Sequence, residues 1–423
     1  MRKLLIANRG AIAARTISSA RALGLSPIAV AALSDPQTSH STAADGCEYL
    51  DGDGLAETYD SAEQIVAAAQ RCGADTVYPG YGALAEDPEL ARRLAAAGIG
   101  YIGPTAEALA LARDKERAVA AAERLGIPVL PHAAGRAAIA GLIAQIGAPV
   151  IVKPADGCGG QGVQIAHTMA AAERILASLP DENGWYAERY VEAGQVVGVT
   201  VAVDDSGTVI GLGERESLLV TGSMKLLEAA PVLGVAPELV ARMRQDTARL
   251  VTGIGLRNIA TVEFIVGPHG YYFLELNGRL PLAYRMCETQ TGADLVALQL
   301  ELAQGRSLAA DEIIVDSAVH CLEARIFLRP GRTGSLRTLE LFPEPGAVYN
   351  CALDSSRPIT VDNIITQVLA SGADRVSVAS TILRAIDASR ITGIDHCGPE
   401  IVAWLGASDL TRADLIDHHV LGV

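Results

Sequence analysis

Ala260-Thr261-Val262-Glu263-Phe264-Ile265-Val266-Gly267-Pro268-His269-Gly270-Tyr271-Tyr272-Phe273-Leu274-Glu275-Leu276-Asn277 carries strand-type alternation on both sides of a Gly-Pro-His-Gly turn, the pattern of a β-hairpin. With a period of two, Glu263 falls on one face of the first arm, and Glu275 and Asn277 share a face of the second. Two carboxylates and an amide oxygen so placed suit a hard cation such as Mg²⁺, which also holds nucleotide phosphates. The competing reading is a solvated outer face, but Glu275 and Asn277 would then interrupt an apolar strand without need.

Upstream, Pro149-Val150-Ile151-Val152-Lys153 reads as one strand and Val163-Gln164-Ile165 as another, with Gly157, Gly159, Gly160 and Gly162 in the loop between them. Glycines let backbone N–H groups approach an anion, and Lys153 adds a point charge, so the loop suits a phosphate. Its spacing is neither GxxxxGK[ST] nor GxGxxG, and alone it also fits a flexible hairpin. Nearer the start, Lys3 to Ala7, a helical pattern through Ile12 and Ile17, and the run Pro27 to Leu33 form a β-α-β opening. Helix Asp60 to Cys72, strand Thr76 to Tyr78, helix Glu89 to Ala97 and strand Gly100 to Ile102 repeat the alternation. A parallel sheet is expected, with ligands at the carboxyl ends of its strands. From Ala106 to Leu125 the chain reads as strongly helical and alanine-rich, with a boundary near residue 113, and shorter strands follow at Val197 to Val203, Val209 to Leu212 and Val319 to Phe327.

The chain has 423 residues, 50% of them hydrophobic and 20% charged, which is enough for two or three packed domains and excludes a disordered tail protein. Thirty-four basic against 49 acidic residues give a net charge of −15, which argues against nucleic acid or an anionic membrane as partner and favours a small metabolite. The seven cysteines are widely spaced and form no CxxC pair, against a disulfide framework or a structural zinc site. The apolar run that follows Met1-Arg2-Lys3 is too short for a signal peptide, and no apolar stretch of about 18 residues occurs, so a cytoplasmic protein is expected.

Lys115, Lys153 with its glycine loop, Trp185 to Val191, Glu263 and Glu275-Leu276-Asn277-Gly278-Arg279 occur in the order seen in ATP-grasp enzymes, and the chain resembles the biotin carboxylase family. Ile6-Ala7-Asn8-Arg9-Gly10-Ala11-Ile12-Ala13 is similar to that family's IANRGEIA, Tyr78 to Glu86 to its HPGYGFLSE, and Leu322-Glu323-Ala324-Arg325-Ile326 to its VECRI. The resemblance implies an α/β and α+β architecture in three parts. These are a Rossmann-like pre-ATP-grasp domain over 1–112, an ATP-grasp domain over 113–310 with a mobile lid at about 130–195, and a biotin-carboxylase-like C-terminal domain over 311–423. It further implies ATP with Mg²⁺, or Mn²⁺ in its place. Lys115 and Lys153 would contact the phosphates, Glu188 and Val191 would line the adenine hinge, Gly157 to Gly162 would close over the triphosphate, and Glu263, Glu275 and Asn277 would hold the metal.

Departures cluster at the acceptor end. The family's RIQVEHP, whose glutamate acts as base on bicarbonate, reads Arg279-Leu280-Pro281-Leu282-Ala283-Tyr284-Arg285, and alanine accepts no proton. The family's MQRRHQK reads Leu219-Val220-Thr221-Gly222-Ser223-Met224-Lys225, which suggests a less polar second substrate, and its HVEIQV reads Val196-Val197-Gly198-Val199-Thr200-Val201. Lys225, Arg279 and Arg325 persist, three cations suited to an anionic acceptor and to the charge that develops in transfer. The expectation is an ADP-forming ligase that activates a small carboxylate as an acyl phosphate for capture by a nucleophile such as an amine. The alternatives are carboxylation of biotin or of another acceptor from bicarbonate through carboxyphosphate, and a nucleotide-binding partner protein without turnover. The resemblance also implies a homodimer. No Ala-Met-Lys-Met motif for covalent biotin is present, so under the biotin alternative the carrier is a separate chain.

Overall fold

The computed structural model describes residues 1–34, 38–52, 54–155, 162–180, 184–222, 224–309, 312–329, 336–351 and 364–408. Lys3–Ile6 (β1), Ser26–Ala32 (β2), Gly46–Leu50 (β3), Thr76–Tyr78 (β4) and Gly100–Tyr101 (β5) form a parallel sheet in the order β3-β2-β1-β4-β5. Successive side chains leave a strand on opposite faces. Leu5, Val30 and Val77 therefore pack under Ile65, Leu90 and Leu94, while Leu4 and Ile6 pack with Ile12, Ile17 and Leu298. Both faces are covered, which is why these strands read as unbroken apolar runs.

The strand order reverses between β1 and β4, the place where open α/β sheets form a ligand crevice. Asn8, after β1, donates to the carbonyls of Pro79 (2.6 Å) and Tyr81 (2.7 Å) after β4, and so ties two distant motifs together. Gly80 is required between them: its φ is +69°, and a Cβ there would lie 3.1 Å from Ile12.

His132–Ala134 (β6), Val150–Pro154 (β7), Gln164–Ala166 (β8) and Trp185–Arg189 (β9) form a small antiparallel sheet in the order β6-β9-β7-β8. The glycine-rich loop connects β7 to β8, two strands as read from the sequence; Gly157, Gly159 and Gly160 lie outside the described residues. A larger sheet holds Gln195–Val203 (β10), Val209–Thr221 (β11), Met224–Ala230 (β12), Asn258–Gly267 (β13), Gly270–Asn277 (β14) and His320–Phe327 (β15). Thr338–Glu340 (β16), Ala347–Asn350 (β17), Ile364–Gly372 (β18) and Arg390–Thr392 (β19) follow. The large sheet runs β14-β13-β10-β11-β12-β15-β18-β17, and β16 pairs with β19 apart from it. Because β12 pairs with β15, strands before and after residue 310 share one sheet.

The helical stretch read from Ala106 to Leu125 forms two helices, Ala106–Arg113 and Lys115–Arg124. Between them Asp114 leaves helical geometry (φ −86°, ψ 107°), and its side chain accepts from the Arg117 N–H at 3.0 Å. Alanine propensity favours continuation, but an N-capping carboxylate starts a new helix and places Lys115 at its first turn. Asp114→Ala is expected to cost about 1 kcal/mol. A urea midpoint no lower than that of the parent protein would refute that capping role. Among the described residues no helix is long and apolar enough to cross a membrane, and the described cysteines are free thiols.

Candidate active site

The β13–β14 pairing sets Glu263 directly opposite Glu275 and Thr261 opposite Asn277. Two buried carboxylates that face each other repel, and each prefers its neutral form in a low dielectric. Two register shifts in the β11–β12 pairing, between Ser217 and Val220, mark bulges of the kind that bend a strand. Lys225 of β12 meets Glu263 across the two intervening strands and donates to it. Burial raises the Glu263 carboxyl, Lys225 opposes the rise and Glu275 adds to it, and the net direction is up. For Glu275 burial also pushes up, but Lys225 and the hydrogen bond from Asn277 outweigh it and the net direction is down.

Asn277 gives its NH₂ to Glu275 (3.0 Å), and its oxygen accepts from Arg279 (3.3 Å). In this arrangement it orients a carboxylate. Arg279 also donates to Glu86 at 2.8 Å, which links the hairpin to the crevice end of the parallel sheet. Lys153, at the end of β7, is buried and donates to Glu188 at 2.6 Å, and the Tyr186 hydroxyl donates to the other Glu188 oxygen at 3.2 Å. The Glu188 side chain thus faces Lys153 and Tyr186. Val191 follows β9 and is half-buried. The Lys115 N–H bonds the carbonyl of Ala155, one residue beyond β7, so both lysines gather where the glycine loop begins.

Arg325 is no surface residue: its side chain is 3% exposed. It donates to Glu323 (2.9 Å), to Glu228 and to the Lys225 carbonyl (3.3 Å). Arg215 shares Glu228 at 3.1 Å and also donates to Thr200 at 2.8 Å, and Thr200 bonds Thr261 at 3.0 Å. On the far side, Gln367 donates to Glu323 (3.2 Å) and to the Leu282 carbonyl (3.3 Å). A polar track thus crosses the sheet from β13 to β18. Burial would raise the Glu228 carboxyl, but Arg325, Arg215 and Lys225 outweigh it and hold it at about 2. Burial raises Glu323 as well; Arg325 opposes this, Glu228 reinforces it, and the net direction is up.

The altered motifs have clear places in this packing. Gly198 stands where the HVEIQV pattern has glutamate, and a Cβ there would lie 3.3 Å from the Arg215 guanidinium, so its bareness makes room for that cation. Ala283 is fully buried in an apolar cluster with Ala230, Met286, Cys321 and Leu369. Leu219 is 1% exposed and packs with Leu227, Leu322 and Phe327, so it belongs to the core and does not make an acceptor surface less polar. Arg215, Glu228, Glu323, Gln367 and the pairing role of Glu86 escape a reading by motif. The available signal is Glu323 and Arg325, charges two apart on an otherwise apolar strand.

A lysine-bearing antiparallel sheet and a carboxylate hairpin, joined to a parallel sheet with a switch in strand order, define an ATP-grasp protein. Residues 104–311 match the carbamoyl-phosphate synthase L chain, ATP binding domain, and residues 1–109 the biotin carboxylase N-terminal domain. The chain is 30% identical to biotin carboxylase 2 of Bacillus subtilis, over 98% of this chain and 97% of that protein. It is 31% identical to the biotin carboxylase of Pseudomonas aeruginosa, over 93% and 92%. Among solved structures, the biotin carboxylase of Campylobacter jejuni in a β-γ-ATP complex superposes with a TM-score of 0.86 at 26% identity, over 97% and 96% of the two chains. The biotin carboxylase domain dimer of Hydrogenobacter thermophilus 2-oxoglutarate carboxylase, solved with MgADP, ADP and bicarbonate, gives 0.88 at 26% identity, over 98% and 95%. The chain belongs to the biotin carboxylase family.

Proposed function

We propose that this protein is an ADP-forming ligase that uses Mg-ATP to phosphorylate bicarbonate and passes the carboxyl group of the resulting carboxyphosphate to a nitrogen acceptor such as biotin, carried on a separate chain. The observation that carries this reading is the connection through Lys225. Its ammonium meets the metal-type carboxylate Glu263, and its carbonyl receives Arg325, so phosphate and anion ends share one rigid link. The names of the relatives favour bicarbonate and biotin over a carboxylate and an amine.

Glu263 and Glu275 would hold Mg²⁺, with Asn277 orienting Glu275. They fit it: they are opposed hard-oxygen donors and already draw a cation, the Lys225 ammonium, against themselves. Bound there, Mg²⁺ would neutralise charge on the phosphates. Lys153 and Lys115 would bind phosphate oxygens, Arg279 and Arg325 would orient the anion, and the active assembly would be a homodimer, as in the Hydrogenobacter relative.

Ala283, buried among apolar side chains where the family pattern has a base, supports a second reading, in which an already ionised carboxylate is activated for an amine. Purified protein with Mg-ATP should release ADP and phosphate in response to bicarbonate, and faster with free biotin. ADP release that ignores bicarbonate and needs an added carboxylate and amine would select the second reading. Release of AMP and pyrophosphate would overturn both.

A further inference from the structure

Glu323 lies fully buried on β15, and its two oxygens differ. Oε1 accepts from Arg325 (2.9 Å) and from Gln367 (3.2 Å), whereas Oε2 has no donor among the described residues. A buried carboxylate oxygen without a donor is costly, and in native proteins such an atom calls for a functional partner. Arg325 beside it has five N–H donors and commits three, to Glu323, Glu228 and the Lys225 carbonyl. Among the described residues two Arg325 N–H donors therefore remain uncommitted, on the side chain whose Nε holds the other Glu323 oxygen. An anion that also carries a hydroxyl satisfies both, its charged oxygens accepting from Arg325 and its O–H donating to Oε2. Bicarbonate is such an anion, and a fully ionised carboxylate without a hydroxyl is not. Gln367 holds Glu323 on one side and the Leu282 carbonyl on the other, so the carboxylate stands two hydrogen bonds from the backbone that leads into Ala283.

We propose that Glu323 is the general base that replaces the carboxylate absent at Ala283, taking the proton of bicarbonate as Arg325 holds the anion. This assignment rests on the bicarbonate reading of the site. In the step, Oε2 takes the hydroxyl proton and the freed oxygen forms a bond to the γ-phosphorus. The bond from that phosphorus to the β-γ bridging oxygen breaks, its electron pair leaves with ADP, and carboxyphosphate remains beside a protonated Glu323 that later releases its proton to solvent. The charged and titratable groups around Glu323 are Arg325 and Cys321 on its own strand, Glu228 and Lys225 on β12, Arg215 on β11 and Tyr284 on the helix that follows Ala283. Burial lifts the Glu323 carboxyl above its usual range and strengthens it as a base, with Arg325 opposing and Glu228 reinforcing.

Glu323→Gln keeps an oxygen for Arg325 and Gln367 but accepts no proton. Bicarbonate-dependent ADP release by the full-length variant should fall about 100-fold or more. The reverse phosphoryl transfer from carbamoyl phosphate to MgADP, which removes no proton from an acid, should stay within about threefold of the parent, since no base is needed there. Equal losses in both directions would mean that Glu323 only holds Arg325, and would overturn the assignment. Bicarbonate-dependent turnover kept within a few-fold would overturn it while leaving the proposed function standing. A parent protein with no response to bicarbonate would instead remove the proposed function, and this base with it.

Discussion

Glu228→Gln is expected to destabilise the protein by about 3–5 kcal/mol, the usual cost of removing one member of a buried ion network. Glu228 is the anion shared by Arg215 and Arg325, and all three side chains are at most 6% exposed. Removing its charge leaves two guanidinium groups close together in the sheet, with Glu323 beside Arg325 and Glu263 near Arg215 to offset them only in part. The sign with pH follows from the direction of the shift. The ordinary carboxyl value is 4.5 and the folded value is about 2, so the stabilising contribution is fully present above pH 4.5 and is lost as pH falls through 2. A shift of about 2.5 units corresponds to roughly 3 kcal/mol. The gap in unfolding free energy between parent and variant should therefore be wide at pH 7 and narrow progressively below pH 4. Urea denaturation followed by far-UV circular dichroism at both ends of that range measures it. A gap that is small at pH 7, or constant with pH, would show that Glu228 carries little of the network's energy.

The parallel sheet was legible because strands such as Lys3–Ile6 and Ser26–Ala32, covered on both faces, keep a local apolar signature that needs no knowledge of the partner. The carboxylate hairpin was legible as two alternating arms about a short turn, but its register was not: the turn pairs Phe264 with Phe273, and a one-residue shift at Leu274 then brings Glu275, not Leu274, opposite Glu263. The contacts that organise the anion end are of another kind. Arg279 meets Glu86 across 193 positions, and Arg325 meets Glu228 across 97, with nothing local to announce either pair. Glu188 shows the limit of a motif: its position in the chain matched the expected hinge, but its side chain faces Lys153, and only the small antiparallel sheet reveals that. A boundary was legible near residue 113, but alanine-rich surroundings on both sides concealed that Asp114 caps a new helix there. The loss at Ala283 was visible as a letter. Its consequence depended on what surrounds it, an apolar cluster on one side and the Gln367–Glu323 bridge on the other.

Glu275→Gln should lower stability a little and metal-dependent function far more. Without nucleotide, Glu263 and the half-buried Glu275 stand opposite each other, with the Lys225 ammonium on Glu263 and acting on both. Like charges directly opposite across a strand pair are destabilising. Burial disfavours both charged forms; Lys225 and Asn277 nevertheless hold Glu275 ionised, so the pair carries net negative charge. Replacing Glu275 by glutamine leaves an oxygen to accept from Asn277 and reduces the cluster to one Lys225–Glu263 ion pair. The two carboxylates repel, but the net downward displacement of the Glu275 carboxyl means that its charge stabilises the fold above the ordinary value of 4.5, so the variant without metal should be less stable than the parent by about 1 kcal/mol at pH 7. The same change removes half of the proposed Mg²⁺ ligands. A ligand that binds only the folded state stabilises it according to its affinity, so the rise in melting temperature produced by MgADP in the parent should nearly vanish in the variant. Turnover should fall about 1000-fold, because a metal supplies several kcal/mol of stabilisation to developing phosphate charge. Thermal denaturation with and without MgADP, alongside ADP release, tests the three effects together. A variant that loses stability without metal but still gains fully from MgADP and turns over like the parent would mean that this pair is a structural feature of the sheet and that the metal is held elsewhere.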